Sequence, residues 1–342
     1  MKTPTRSGKV KMSDIAAALG VSAMTVSRAF KGESGISAKT RTSILLKAEE
    51  LGYVFDATAS NLRQSRTGFV AVTVPSIENA NFSATVRELS KGLLKKNIQI
   101  LLTNTEYDPN EEERLIAQLL QRNPEAIVLT GGQHTPRTRA LLAKASIPVV
   151  EIWDLPAKPI GHVVGFSNES AVKGLVDHLV KTGRRRLAFL GGEATNDSRG
   201  AQRRAGFVAA LREHGLETNR LIPAGPAPVG MSEGASGLER LINLFGDTDG
   251  LICVSDLVAF GALQQCRRLG VEVPDDIAIA GFGNYEIGRV CEPPLTTIDV
   301  HAGLIGSRCA DMVLTLLEGP SPPGAALWQA LQPDLILRRS TP

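Results

Sequence analysis

Residues 22–28 read SAMTVSR. Within two helical turns they set three hydroxyls and one guanidinium around three small or apolar side chains. This is a set that can read nucleic acid. Arg28 can donate a bidentate pair to guanine, and Ala23 and Met24 can touch a thymine methyl. Ser22, Thr25 and Ser27 suit phosphate oxygens, as do the free amides of a helix N-terminus. Taken alone, Met24 fits a helix core as well as a base contact, and Arg28 fits a solvated surface. A second group of polar and aromatic residues lies at the carboxyl ends of apolar runs further on. It comprises Phe82, then His134 and Arg137, Glu151 and Trp153, Phe166, Arg199 and Arg203, Asp256, and Asn284. Aromatic walls with hydrogen-bonding groups suit a polyol, and Arg203, Arg199 and Arg137 offer charge-assisted bonds to an anion.

The first group needs a scaffold, because a ten-residue helix does not hold itself up in water. Three helix signals crowd residues 1–55. MSDIAAALG has Ser13 and Asp14 as cap candidates and stops at Gly20. Ser22 can cap AMTVSRAF, and Ser37 can cap AKTRTSILLKAEEL, which stops at Gly52. Ile15, Ala18, Leu19, Val21, Val26, Ala29, Phe30, Ile44, Leu45, Ala48 and Leu51 form the expected shared core. Helix, tight turn and second short helix is the helix-turn-helix arrangement, which leaves one face of the second helix free for a major groove. A polar connector without proline, 56–67, follows.

From residue 68 apolar runs alternate with helical patterns: FVAVTV, IQILL, AIVLT and PVVEIW, then RLAFLG, LIPA, GLICVS and IAIAGF. This alternation predicts an α/β body of two lobes, each a doubly wound parallel sheet covered by helices. We expect an N-lobe of about 68–161 and 295–320 and a C-lobe of about 162–294 and 321–342. Ligands bind at the carboxyl ends of such strands, here in a cleft between the lobes.

Bulk properties agree with a DNA-binding head on a ligand-binding body. Residues 1–67 carry 11 Lys/Arg against 5 Asp/Glu, a balance of +6, whereas the other 275 residues carry 27 against 30, a balance of −3. A basic head alone implies a polyanion partner. No apolar run approaches the ~20 residues that span a bilayer. The basic N-terminus lacks a following apolar stretch, so we expect a cytoplasmic protein. Cys253, Cys266, Cys291 and Cys309 are widely spaced and read as buried free thiols, neither disulfides nor metal ligands. There is no G-x-G-x-x-G after a strand, no phosphate-binding G-x-x-x-x-G-K-[ST] and no H-E-x-x-H. No enzyme and no cofactor or metal is expected. A sugar-binding protein without a DNA role is the alternative, and the basic head speaks against it.

The stretch KMSDIAAALGVSAMTVSRAFKGESGISAKTRTSILLKAEELGY resembles the DNA-binding head of the lactose-repressor family, through D-I-A, G-V-S-x-x-T-V-S-R and A-x-x-L-G-Y. S-D-x-x-A-x-G-A at 255–262, V-P-D-D-I-A-I-A-G-F at 273–282 and P-P-L-T-T-I at 293–298 extend the resemblance over the body. It implies a fold like that of periplasmic sugar-binding proteins and a homodimer on a palindromic operator in double-stranded DNA. It also makes 56–67 a hinge helix that orders on DNA, with Leu62 as a minor-groove wedge, although Val54-Phe55-Asp56 departs from the usual Y-x-P-N entry. Arg203, three residues before Gly206, stands where the family grips its effector. VLTGGQHTPRT, IPVVEIWD and HVVGFSNE resemble the gluconate-utilisation repressors within the family, and Gly283 replaces an aspartate that neutral-sugar binders usually carry. The implied effector is gluconate or a related sugar acid. Whether it releases the operator or acts as a corepressor is open at this point.

Overall fold

The computed structural model describes residues 10–31, 34–54, 67–193, 196–319 and 326–342. The chain divides into two compact units, 1–67 and 68–342, each taken here by itself.

In the first unit, α1 (Met12–Leu19), α2 (Ala23–Lys31) and α3 (Ala38–Glu50) form the expected trio. Local chemistry sets their ends. Gly20 closes α1 at φ 64, a left-handed conformation that glycine adopts without penalty. Ser22 Oγ accepts the Thr25 N–H at 3.1 Å, and Ser37 Oγ accepts the Thr40 N–H at 3.1 Å. Asp14 is not the N-cap. It stands at the third helical position and accepts the Lys11 N–H at 2.7 Å. The core is Ile15, Ala16, Val26, Ala29, Ile44 and Ala48, with Leu19, Val21, Phe30, Leu51 and Tyr53 packed around it. Ala18 and Leu45, expected inside, are exposed. Each lies on a helix close to a buried position, and one step along a helix turns a side chain about 100° away.

The second unit begins with β1 (Phe69–Val74), α4 (Ala80–Leu94), β2 (Gln99–Asn104), α5 (Pro109–Leu120), β3 (Ile127–Thr130), α6 (Pro136–Lys144), β4 (Val149–Ile152) and β5 (His162–Gly165). Next come α7 (Asn168–Lys181), β6 (Leu187–Leu190), α8 (Ser198–Glu213), β7 (Leu221–Ile222), α9 (Met231–Leu244), β8 (Gly250–Cys253), α10 (Asp256–Leu269), β9 (Ala278–Ala280) and α11 (Glu286–Val290). The chain ends with β10 (Thr297–Asp299), α12 (Ala302–Glu318), β11 (Trp328–Ala330) and β12 (Asp334–Ile336). One parallel sheet has the order β11-β5-β4-β3-β1-β2 and the other β7-β6-β8-β9, while β10 and β12 pair antiparallel. Nearly every residue of β1, β3, β4, β6 and β8 is buried, as expected where helices cover both faces of a parallel sheet.

The lobe boundaries differ from those expected. β5 was assigned to the C-lobe, but it pairs with β4, so the N-lobe runs to residue 165 before the chain crosses. Two short strands follow α12: β11 pairs with β5 in the N-lobe sheet, and β12 pairs with β10. The return to the C-lobe therefore follows residue 330, not 320. There Ser340 accepts the Ile279 N–H through its carbonyl and donates its hydroxyl to the Ile279 carbonyl.

Candidate functional site

In the first unit, α2 turns Val26 and Ala29 inward, and the remaining face stands out. Ala23 and Arg28 are exposed, and Met24 is 64% exposed, so it is no part of the core. Ser22 spends its hydroxyl on the α2 cap and on Thr25 Oγ1, 2.9 Å away. Ser27 and Thr25 are half-buried along the edge of the same face. Leu62 and the expected hinge lie outside the described residues.

In the second unit a cavity lies at the carboxyl ends of both sheets. Each lobe contributes strand-end loops and helix starts. From the N-lobe come Asn79, Asn81 and Phe82 at the start of α4, Tyr107 after β2, and Trp153 after β4. From the C-lobe come Asp197, Arg199 and Arg203 at the start of α8, Val254 and Ser255 after β8, and Phe282, Gly283 and Tyr285 after β9. Arg199 and Arg203 are four residues apart, which puts both on one helix face. Arg204, the next residue, turns away to the Gly191 carbonyl.

The two arginines have different surroundings. Arg203 lies 3.9 Å above the Phe282 ring, donates Nε to Asn168 Oδ1 at 2.9 Å and Nη1 to the Val254 carbonyl at 2.9 Å. All three partners are neutral and belong to the C-lobe. Burial lowers its pKa to about 10, with the nearby negative charge of Asp197 opposing and Arg199 adding to the shift, so it is a cation at neutral pH. Arg199 reaches the N-lobe instead. It donates to the Thr130 carbonyl at 3.3 Å and lies 5.4 Å from the Phe82 ring centroid and 5.9 Å from that of Tyr107. Among the described residues Asp197 is the one carboxylate in the lining, and it caps α8 through the Gly200 N–H. Further bonds cross between the lobes: Tyr285 Oη donates to Asn79 Oδ1 at 2.9 Å, and Asn81 Nδ2 to the Gly283 carbonyl at 2.8 Å.

Of the ten residues expected around an effector, four line this cavity: Phe82, Trp153, Arg199 and Arg203. Phe166 sits behind them, with ring centroids 6.0 Å from Trp153 and 6.2 Å from Phe282. The other five are placed elsewhere. Along β4, period-two alternation sends Glu151 to the sheet face opposite Val150 and Ile152. There His134 Nδ1 meets Glu112 Oε1 at 2.6 Å, and His134 Nε2 is 3.4 Å from Glu151 Oε1. Burial disfavours the imidazolium, but the two carboxylates outweigh it and hold the His134 pKa at about 9. Arg137 is an exposed side chain 3.5 Å from Glu113. Asp256 is buried under the loop after β9, where it accepts the Tyr285 N–H at 2.7 Å and the Thr297 hydroxyl at 2.6 Å. Burial raises its pKa to about 6 against these bonds. Asn284, at φ 51, accepts from Arg338 at 2.6 Å and donates to Asp299 at 2.8 Å, tying the crossover strands to the C-lobe.

Tyr107, Asp197 and Tyr285 were missed. Tyr107 follows the second strand much as Trp153 follows the fourth, so extending the strand-end rule to every strand would have found it. Among the described residues no cluster of His, Cys, Asp or Glu could hold a metal ion, and no helix is long and apolar enough to cross a membrane.

Comparison with known proteins agrees with this division. Residues 11–56 match the family described as bacterial regulatory proteins, lacI family, and residues 176–341 match the periplasmic binding protein-like domain. The HTH-type transcriptional regulator GntR of Pseudomonas aeruginosa is 32% identical over 340 residues, covering 99% of this chain and 98% of that protein. A solved LacI family transcriptional regulator from Silicibacter pomeroyi is 41% identical, with a TM-score of 0.76 over 80% of this chain and 99% of the other. A second LacI family regulator from Silicibacter pomeroyi is 30% identical, with a TM-score of 0.89 over 97% of this chain and 100% of the other.

Proposed function

The chain belongs to the lacI family of bacterial regulatory proteins and is a transcriptional repressor, not an enzyme; from that premise we propose that a sugar acid of the gluconate type controls its hold on DNA. The observation that carries this reading is Arg203. Its guanidinium lines a cavity, and its hydrogen-bond partners are all neutral. A cation with no directly bonded counter-charge in a partly desolvated site favours an anionic ligand. Two arginines against one carboxylate set the sign of the cavity, and Phe82, Trp153, Phe282 and the two tyrosines supply faces and hydroxyls for a polyol chain.

In this reading the head binds one half of a near-palindromic operator, with Ala23, Met24 and Arg28 toward the bases and Ser22, Thr25 and Ser27 toward the phosphates. Leu62 wedges the minor groove. The body pairs two copies through α4 and α10, where Leu94 and Leu269 are exposed large apolar side chains. The sugar acid grips both lobes and favours one lobe arrangement, and operator affinity changes by the free energy with which the ligand discriminates between the two arrangements. A homodimer in the cytoplasm, with no cofactor, is all the reading requires.

The test is an operator mobility-shift assay with gluconate, 6-phosphogluconate and related aldonic and uronic acids. Release of the operator by a sugar acid in wild type, and loss of that response in Arg203→Met, is the expected result. Operator binding strengthened by the acid would make it a corepressor. An Arg203→Met variant that responds as wild type does would remove the anion grip.

A further inference from the structure

One hydroxyl of the cavity is placed at a conformational cost. Tyr107 follows Glu106, and the two stand at φ 61 and φ 53, consecutive left-handed residues of which neither is glycine or asparagine. An L-residue is disfavoured there, and such strain persists only where the surroundings enforce it. They do so here. The Thr105 N–H donates to the Val74 carbonyl at 2.9 Å, and the Asp108 N–H donates to the Thr105 carbonyl at 2.9 Å. Asp108 then caps α5 through the Asn110 N–H at 2.8 Å. The strained corner is thus pinned to β1 on one side and to α5 on the other. What it delivers is the phenol of Tyr107, which lines the cavity beside the Arg199 guanidinium.

Several other polar groups of the cavity are engaged within the protein, whereas the buried Trp153 Nε1 has no hydrogen-bond partner among the described residues. Asn79 Oδ1 accepts the Asn81 and Phe82 amides and the Tyr285 hydroxyl. Asn81 Nδ2 is held by Gly283, and Asp197 by Gly200. The Arg199 guanidinium lies 5.9 Å from the Tyr107 ring centroid. A guanidinium only donates, so Arg199 cannot take up the phenol's proton, which is left to give. Burial raises the Tyr107 pKa above the ordinary phenol value, so that proton stays in place at neutral pH. A neutral hydroxyl with a proton to give suits another hydroxyl better than it suits a carboxylate already matched by Arg203.

We propose that Tyr107 is a specificity-determining residue, whose hydroxyl bonds one hydroxyl of the sugar acid's carbon chain and supplies the N-lobe half of a grip completed by Arg203 in the C-lobe. This rests on the sugar-acid reading above. A site built to hydrogen-bond a ligand hydroxyl discriminates against the analogue lacking it.

The experiment is titration calorimetry of wild type and Tyr107→Phe with gluconate and with each of its monodeoxy derivatives. Loss of one neutral hydrogen bond weakens binding by about tenfold. The expected pattern is that Tyr107→Phe binds gluconate about tenfold more weakly than wild type does. One monodeoxy acid should be weakened by a similar factor in wild type, and Tyr107→Phe should bind that acid and gluconate equally. Wild-type gluconate affinity in Tyr107→Phe would overturn the assignment. So would an equal loss for gluconate and every derivative, which marks general damage to the wall. A wild-type protein that binds none of these acids, nor any acid of the operator-release panel, would overturn the ligand reading and this inference with it.

Discussion

The buried trio of Glu112, His134 and Glu151 makes a quantitative prediction. His134 has no exposed side-chain surface, and the two glutamates have 9% and 0%. Screening by solvent is therefore small, and the imidazolium is held by two carboxylates in a desolvated setting. Its pKa rises from 6.5 to about 9 on folding. At about 1.36 kcal/mol per pH unit that difference corresponds to roughly 3 kcal/mol of stability. Because the folded value is raised, the contribution is complete below pH 6.5, declines as pH rises, and is gone above pH 9. Replacing His134 by Gln keeps the approximate volume and a donor but removes the charge. Urea unfolding of the body, followed by the fluorescence of buried Trp153, should show wild type ahead of His134→Gln by about 3 kcal/mol near pH 6.5. The gap between the two proteins should then close steadily toward about pH 9.5. Differencing the two proteins cancels titrating groups outside the trio, including Asp256, which titrates near the acid end. A gap that stays constant across that range, or no gap at its acid end, would refute the reasoning. The cluster also bears on the cavity, since His134 anchors the loop that follows Thr130, whose carbonyl receives Arg199.

Two further outcomes concern the DNA. Arg28→Ala should lose about 1–3 kcal/mol of operator discrimination while retaining salt-sensitive binding to unrelated duplex, as measured by competition shift assays. Leu62→Ala should still bind sugar acid by calorimetry but hold the operator less tightly and bend it less in a circular-permutation assay; unchanged bending would dismiss the wedge.

The sequence disclosed most of the fold because its signals are local. Caps at Ser22 and Ser37, the left-handed stop at Gly20, and β1 over 69–74 are each decided within a few residues. Sheet membership is not local. Nothing within HVVG says that β5 pairs with β4 and β11, so the lobe boundary was misplaced there. The site shows the same division at finer scale. Arg199 and Arg203 were legible because residues four apart on a helix share a face, whatever surrounds the helix. Glu151 and Trp153 lie two residues apart at the end of β4, yet Glu151 faces His134 while Trp153 lines the cavity, beyond the last residue of β4 and at φ 72. The alternation of β4 already separates Glu151 from Ile152, and the left-handed turn after it re-aims the indole. A strand-end rule names the neighbourhood of a ligand, but the last turn of backbone chooses the side chain. Tyr107 is the same case at the end of β2, where two left-handed residues perform the re-aiming. Strained φ angles at strand ends are therefore the feature of this fold that joins architecture to the lining of the cavity, and they are the feature that composition and periodicity cannot carry.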